Sequence, residues 1–266
     1  MRLILTFLIV IITLTSYSQE TFRVNSIEIE GNKLTKRETI LRELSFQIGD
    51  NLTLDEFNEK LKQSKLNIGS QWLFNFVDII PKYNQYEIDV NIEVVERWYV
   101  WPYPILEISE RNFNVFWDSL KNSNYTDFSR LNYGVFLNWY NFRGRNELLK
   151  LKFRKGYKEH YNMTYVTRSL GKNKSFFIES EIDFFRRKKT DYLISNNQLQ
   201  YLSNDNEFTS TDLIAELKLI NKKEFRISNS IFLKYHRCVV DNEINMLNRM
   251  YLNSSNKNNI GSYFKL

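Results

Sequence analysis

From residue 131 onward the chain alternates. Leu131, Tyr133, Val135, Leu137 and Trp139 share one parity, while Asn132, Gly134 and Asn138 share the other. A turn at Phe142-Arg143-Gly144-Arg145-Asn146 follows, and then Leu149, Leu151 and Phe153 alternate with Lys150, Lys152 and Arg154. The pattern returns at Tyr161, Met163 and Tyr165, at Phe176, Ile178, Ile182 and Phe184, and at Leu213, Ala215, Leu217 and Leu219 against Asp212, Glu216 and Lys218. It returns once more at Phe225, Ile227, Ile231, Leu233 and Tyr235. A period of two, repeated in strand-length segments between polar turns, is met by antiparallel strands with one apolar and one polar face. The stretches 193–202 and 244–252 are less regular.

Lys150, Lys152 and Arg154 fall on one strand face. Pointed into lipid, each would cost about 2–4 kcal/mol near a bilayer midplane, so that face is expected to look into a wet lumen. A soluble sandwich is the competing architecture. Short sequential hairpins, aromatic-rich apolar faces and an export signal favour a barrel.

The signal is at the N-terminus. Met1-Arg2, an almost wholly apolar run from Leu3 to Leu14, and Ser16-Tyr17-Ser18 before Gln19 have the charged, apolar and small-residue regions of a secretory signal peptide, with cleavage expected after Ser18. The run is short for a membrane-spanning helix. Aromatic residues make up 15% of the chain, against 8 glycines and 3 prolines, which suits strands and membrane interfaces. Negative mean hydropathy excludes a helical membrane protein and leaves a barrel open.

Between these regions lies a different pattern. Ile27 and Ile29 alternate with Glu28 and Glu30, and Gly31-Asn32 ends that strand. Thr35-Lys36-Arg37-Glu38 reads as a capping box before a helix with Ile40, Leu41 and Leu44 on one face. After a turn at Gly49-Asp50, Thr53-Leu54-Asp55-Glu56 reads as a second box, with Leu54, Phe57 and Leu61 as the buried stripe. Val77 and Ile79, then Ile88, Val90, Ile92 and Val94, give two more strands. The predicted order is β-α-α-β-β.

Residues 26–95 resemble a POTRA domain, the polypeptide-transport-associated module of outer-membrane assembly and secretion proteins. The resemblance rests on Ile27-Glu28-Ile29-Glu30-Gly31-Asn32, Thr35, Ile40-Leu41-Arg42-Glu43-Leu44, Gly49-Asp50-Leu52, and Asn67 through Leu73-Phe74 to Val77. Residues 130–145, with 149–156, resemble the first barrel hairpin of the BamA/TamA-like superfamily, although Arg145 stands where a small residue is usual and Arg168-Ser169-Leu170 where a proline is frequent.

The resemblance implies an α+β POTRA domain (β-α-α-β-β) followed by an antiparallel transmembrane β-barrel, about the first half of sixteen strands, so that the chain reads as an N-terminal fragment. The expected divisions are signal peptide 1–18, POTRA domain 19–96, aromatic-rich junction 97–130 and partial barrel 131–266. Trp98, Tyr99, Trp101, Tyr103, Phe113, Phe116 and Trp117 crowd that junction as an interfacial belt or as an interdomain packing patch. The last residues, Tyr263-Phe264-Lys265-Leu266, read as a strand just beginning.

The implied function is outer-membrane protein assembly or polypeptide translocation, with the POTRA domain in the periplasm. Its partners would be unfolded outer-membrane or secreted client polypeptides, periplasmic or lipoprotein subunits, and outer-membrane lipids. A client strand would add to the edge at Val77, Asp78, Ile79 and Ile80 by β-augmentation. Leu131, Tyr133, Val135, Leu137 and Trp139 would form the lateral-gate strand, and Phe142, Arg143, Gly144 and Arg145 the first surface loop. The alternative is a passive outer-membrane pore or anchor in which the POTRA domain docks partners.

No catalytic constellation emerges. Glu179, Glu181 and Asp183 share a strand face and read as a solvated lumen wall, and His236 shares parity with Lys234. Cys238 is the single cysteine, and it and the two histidines form no ligand spacing, so no metal or cofactor is expected. The net charge of +6 is spread over strand faces and turns, which together with export argues against nucleic acid and fits anionic lipid headgroups.

Overall fold

The computed structural model describes residues 20–109, 112–126, 128, 130–170, 176–204, 207–224, 227–251 and 256–265. The expected signal peptide lies outside them. The chain forms two compact units, Met1–Arg97 and Trp98–Leu266.

The first unit contains β1 (Thr21–Glu30), α1 (Arg37–Leu41), β2 (Asn51–Thr53), α2 (Leu54–Ser70), β3 (Phe74–Asn84) and β4 (Glu87–Glu96). The sheet order is β2-β1-β4-β3. β1 and β4 run parallel, whereas β1–β2 and β3–β4 are antiparallel. The order is therefore β-α-β-α-β-β: the expected Gly49-Asp50 turn leads into a three-residue strand that pairs Leu52 with Phe22. Three residues are too few for alternation to show.

Phe46, Phe57, Ile40, Ile68, Ile88, Ile92, Val24 and Val90 form the dry centre of the core. On α2 the buried stripe is Phe57, Ser64 and Ile68 with Leu61 half-buried, while Leu54, expected in it, is exposed. Gly31 has φ +87°, and a Cβ there would meet the Val94 carbonyl oxygen at 1.9 Å. A side chain is thus excluded both by the left-handed backbone and by the close approach to β4.

Only one of the two expected capping boxes forms. The Thr53 hydroxyl accepts from the Glu56 amide at 3.4 Å and the Glu56 carboxylate from the Thr53 amide at 3.0 Å. At α1 the N-cap is Lys36, with no side-chain cap. The Thr35 amide donates instead to Glu96 Oε1 at 2.6 Å, joining the helix entrance to the end of β4. A charge-assisted bond across the fold displaces the local motif.

The second unit contains β5 (Val100–Ile108), α3 (Phe113–Asn122), β6 (Leu131–Phe142), β7 (Glu147–Gly156), β8 (Lys158–Leu170), β9 (Phe176–Arg187), β10 (Lys189–Ser195), β11 (Gln198–Ser203), β12 (Ser210–Glu224), β13 (Ile227–Val240), α4 (Asn242–Leu247) and β14 (Asn256–Lys265). Eight of these strands form one antiparallel sheet in the order β14-β13-β12-β9-β8-β7-β6-β5. Among the described residues no helix is long and apolar enough to cross a membrane.

The two irregular stretches are explained by what they form. Residues 193–202 belong to a separate hairpin, β10–β11, turned by Asn196 and Asn197 at φ 51° and 59°. Ile244 on α4 is fully buried beside Val240, with Tyr192, Leu202 and Tyr251 packed against them, so helix and hairpin close a small core of their own. The final strand does not begin at Tyr263; β14 starts at Asn256 and pairs along β13.

β5 was not expected. The sheet begins at Val100, inside the predicted junction 97–130, rather than at Leu131. In Trp101-Pro102-Tyr103-Pro104-Ile105-Leu106 both parities are apolar or aromatic, and proline ordinarily signals a break. Two prolines at i and i+2 also restrict the residue before each to extended backbone, and that was the legible signal. The seven junction aromatics consequently do not cluster together. Trp98, Tyr99, Trp101 and Tyr103 lie at or in the first half of β5, whereas Phe113, Phe116 and Trp117 belong to α3 beyond its other end.

Candidate functional site

The register of the eight-stranded sheet sorts its side chains into two faces. Val135, Phe153, Tyr161, Phe184 and Leu213 are successive cross-strand partners from β6 to β12. So are Leu137, Leu151, Met163, Ile182, Ala215 and Tyr235, and below them Trp139, Leu149, Tyr165, Ser180, Leu217 and Leu233. Side chains of directly opposed residues stand on the same side of a sheet, so these rows form one nearly continuous apolar face. Many of its members are exposed, among them Phe153, Met163, Ile182, Leu217, Ile231 and Leu233.

The opposite face is charged. One row runs Asn138, Lys150, Thr164, Glu181, Glu216, Lys234, and the next Phe136, Lys152, Asn162, Asp183, Ile214, His236. Asn162 Nδ2 donates to Glu181 Oε1 and to Asp183 Oδ1, each at 2.8 Å. His160 Nε2 lies 2.8 Å from Asp183 Oδ1, and Thr164 donates to Glu181. Lys234 pairs with Glu216 at 2.6 Å, and Asp212 bridges Arg187 at 3.1 Å and His236 at 2.9 Å. The carboxylates of this face are met by amide, hydroxyl, imidazole or cationic partners, so none of Glu181, Asp183, Asp212 and Glu216 stands as a lone charge.

The connections divide by end. At the end where β5 starts, the strand bounds leave residues 143–146, 171–175 and 225–226 between neighbours. At the other end they leave 109–130, 157, 188–209 and 241–255, which include α3, the β10–β11 hairpin and α4. The turn Phe142, Arg143, Gly144 and Arg145, expected as the first surface loop, therefore lies at the end through which the chain arrives from residue 97. Its Arg143 grips Glu147 through two bonds of 2.9 and 3.0 Å and stands over the rings of Phe142 and Tyr165.

Among the outer strands of the described sheets, β3 and β5 bear on the expected binding sites. In the first unit β3 is an outer strand of the sheet and much longer than β2 at the opposite edge. The Arg23 amide donates to the Tyr86 carbonyl, which turns the even residues of β4 toward β1 and the odd ones toward β3. Asp78 and Ile80, opposite Glu93 and Asn91, thus spend their backbone groups on β4, while Val77, Ile79, Pro81 and Tyr83 direct theirs outward. The four residues Val77, Asp78, Ile79 and Ile80 lie on the edge strand, but by this phase only Val77 and Ile79 present backbone groups to an incoming chain.

In the second unit the outer strands of the eight-stranded sheet are β5 and β14, and it is β5 that bears on the expected gate. Leu131, Tyr133, Val135, Leu137 and Trp139, expected to form a gate strand, lie on β6, which is paired on one side with β5 and on the other with β7. Their backbone groups are consumed, and the role of an outer strand passes to Val100–Ile108. Bonds from the Tyr140 amide to the Tyr99 carbonyl and from the Ser109 amide to the Arg130 carbonyl, at the two ends of the pair, turn the odd residues of β5 inward. Val100, Pro102, Pro104, Leu106 and Ile108 direct their backbone outward.

Residues 22–97 match the POTRA family, described as surface antigen variable number repeat. No curated protein matches the sequence at a significant level. In structure the chain is similar to BamA from Haemophilus ducreyi lacking POTRA domains 1-3, with a TM-score of 0.59 and 15% identity over 91% of this chain and 42% of that one. A weaker similarity, with a TM-score of 0.44 and 12% identity, relates 82% of it to 38% of CdiB from Acinetobacter baumannii. The chain spans less than half the length of either. Residues 22–97 match the POTRA family model and have a POTRA-like fold, and the strands that follow have the fold of part of a BamA-like barrel.

Proposed function

We propose that this chain handles polypeptide strands at the outer membrane, as an assembly or translocation factor whose POTRA domain stands in the periplasm. The observation that carries this reading is the outer position of two long strands, β3 on the POTRA sheet and β5 on a sheet with one apolar and one charged face. Main-chain hydrogen bonds at such edges give affinity for an extended chain with little regard to its sequence. The step is non-covalent.

The apolar face suits lipid and the charged face a wet lumen. Outer-membrane barrels have short periplasmic turns and longer outer loops, so the end bearing residues 143–146, 171–175 and 225–226 is the periplasmic one. In that orientation β5 starts at the periplasmic end, and α3, β10–β11 and α4 belong to the outer end. The sequence of residues 1–18 supplies the export signal this orientation requires.

Deletion of residues 26–95 in the native host, followed by fractionation, tests the reading. Loss of client proteins from the outer membrane while residues 98–266 still reach it supports assembly or translocation. Unaffected clients with intact pore conductance support the passive pore or anchor instead.

A further inference from the structure

The chain has three prolines, Pro81, Pro102 and Pro104. All three stand on the open strands β3 and β5, and all three in the phase that faces away from the neighbouring strand. Proline has no amide hydrogen, so each removes a donor from the open side and leaves the carbonyl acceptor in place.

On β5 the outward donors are those of Val100, Leu106 and Ile108, with none between Val100 and Leu106. On β3 the Ile79 amide donates to Asp78 Oδ1 at 3.0 Å, and the same oxygen receives Lys65 Nζ at 2.9 Å. With Ile79 occupied and Pro81 lacking a hydrogen, the uncommitted outward donors of β3 are Val77 and Tyr83. In both strands the flanking donors stand six residues apart, about 20 Å at 3.4 Å per residue, with outward acceptors but no available outward donor between them. Two different chemistries, a missing hydrogen and a carboxylate cap, produce that span in two unrelated sheets.

We propose that the two edges take up an extended client strand chiefly as hydrogen-bond acceptors along their centres, and release it readily because their central donors have been removed or capped. This rests on the client reading above. An antiparallel partner exchanges two bonds at each outward position of an ordinary edge. Here it gives its amides to the carbonyls of Pro102 and Pro104, or Ile79 and Pro81, and receives nothing back at those positions.

The test uses the full chain folded in detergent micelles and, as probe, a fluorescent peptide with the sequence of residues 211–218, a barrel-type strand. Release is followed by anisotropy after dilution, and the edge engaged is identified by hydrogen exchange over β3 and β5. The variants are Pro102→Val with Pro104→Val, and Asp78→Ala with Pro81→Val. Pro104→Val alone serves where the first pair fails to fold, and Asp78→Ala alone where the second does.

Each pair is expected to slow release from its own edge about tenfold or more, two restored bonds being worth about a factor of ten together. New exchange protection should appear at 102–104 or 79–81. Unchanged release from folded variants overturns the proposal and leaves the client reading standing. Dimerisation of the variants with unchanged peptide release also overturns it, since the prolines would then guard only against a second copy. Protection of neither edge by the peptide in any form of the protein overturns both.

Discussion

The Tyr140 amide donates to the Tyr99 carbonyl across 2.8 Å, and this bond sets the direction of every backbone group on β5. Shifted by one residue, the strand would turn Pro102 and Pro104 toward β6, where each would leave a β6 carbonyl without a donor. With the observed phase both prolines are harmless to the sheet and costly only to whatever adds next.

Gly134 sits where a Cβ would meet the Phe153 carbonyl oxygen at 1.9 Å. Gly134→Ala must push β6 away from β7, and a loss of about 1–3 kcal/mol is expected from such overpacking. A lowered thermal unfolding midpoint of the full chain in detergent micelles would show it, and an unchanged one would mean that the strands are not this close.

The two capping sequences make opposite predictions. Thr53→Ala removes a formed cap and should cost about 1 kcal/mol in urea unfolding of the POTRA unit. Glu38→Ala, on a helix with no side-chain cap, should stay within about 0.5 kcal/mol of the parent.

Three POTRA carboxyls are held below their ordinary range. Glu56 is held by its bonds to Thr53, Asp78 by Lys65 and then the Ile79 amide, and Asp89 by Ser26 and then Asn25. A carboxyl whose folded pKa is depressed stabilises the fold above its unfolded pKa and loses that contribution as pH falls through the folded value. Unfolding midpoints should therefore be level near neutrality and decline below about pH 4, where unfolded carboxyls begin to bind protons. Asp89→Asn should flatten part of that decline.

Ile182 and Ile214 test the orientation of the sheet. Ile182 lies on the apolar face beside Met163 and Ala215, whereas Ile214 lies on the charged face opposite Asp183. Ile182→Lys should impair insertion into lipid vesicles by about 2–4 kcal/mol if the residue sits near the midplane. Ile214→Lys, facing a carboxylate, should insert normally. Equal tolerance of both would remove the lipid-facing assignment.

Much of the architecture was legible because alternation and burial coincide. Leu137, Leu151, Met163, Ile182 and Ala215 could be assigned to one face from parity alone, and the register joins them in one row. The Thr53 cap was legible for the same reason, since all its partners lie within four residues. Thr35 misled because the group that binds its amide, Glu96, is sixty-one residues away. β5 was hidden by its prolines, and the edge at β3 could be located but not phased, because which residues face outward depends on a bond between Arg23 and Tyr86 that no local pattern announces.

The β10–β11 hairpin takes no part in the eight-stranded sheet, and its tip is the pair Asn196 and Asn197. A foreign segment spliced between them would lengthen a loop without interrupting a barrel pairing, and closing a longer loop costs only about 0.6 kcal/mol per doubling of its length. In the orientation proposed above, that tip is a grafting site from which an epitope or affinity tag would be displayed on the outside of a living cell.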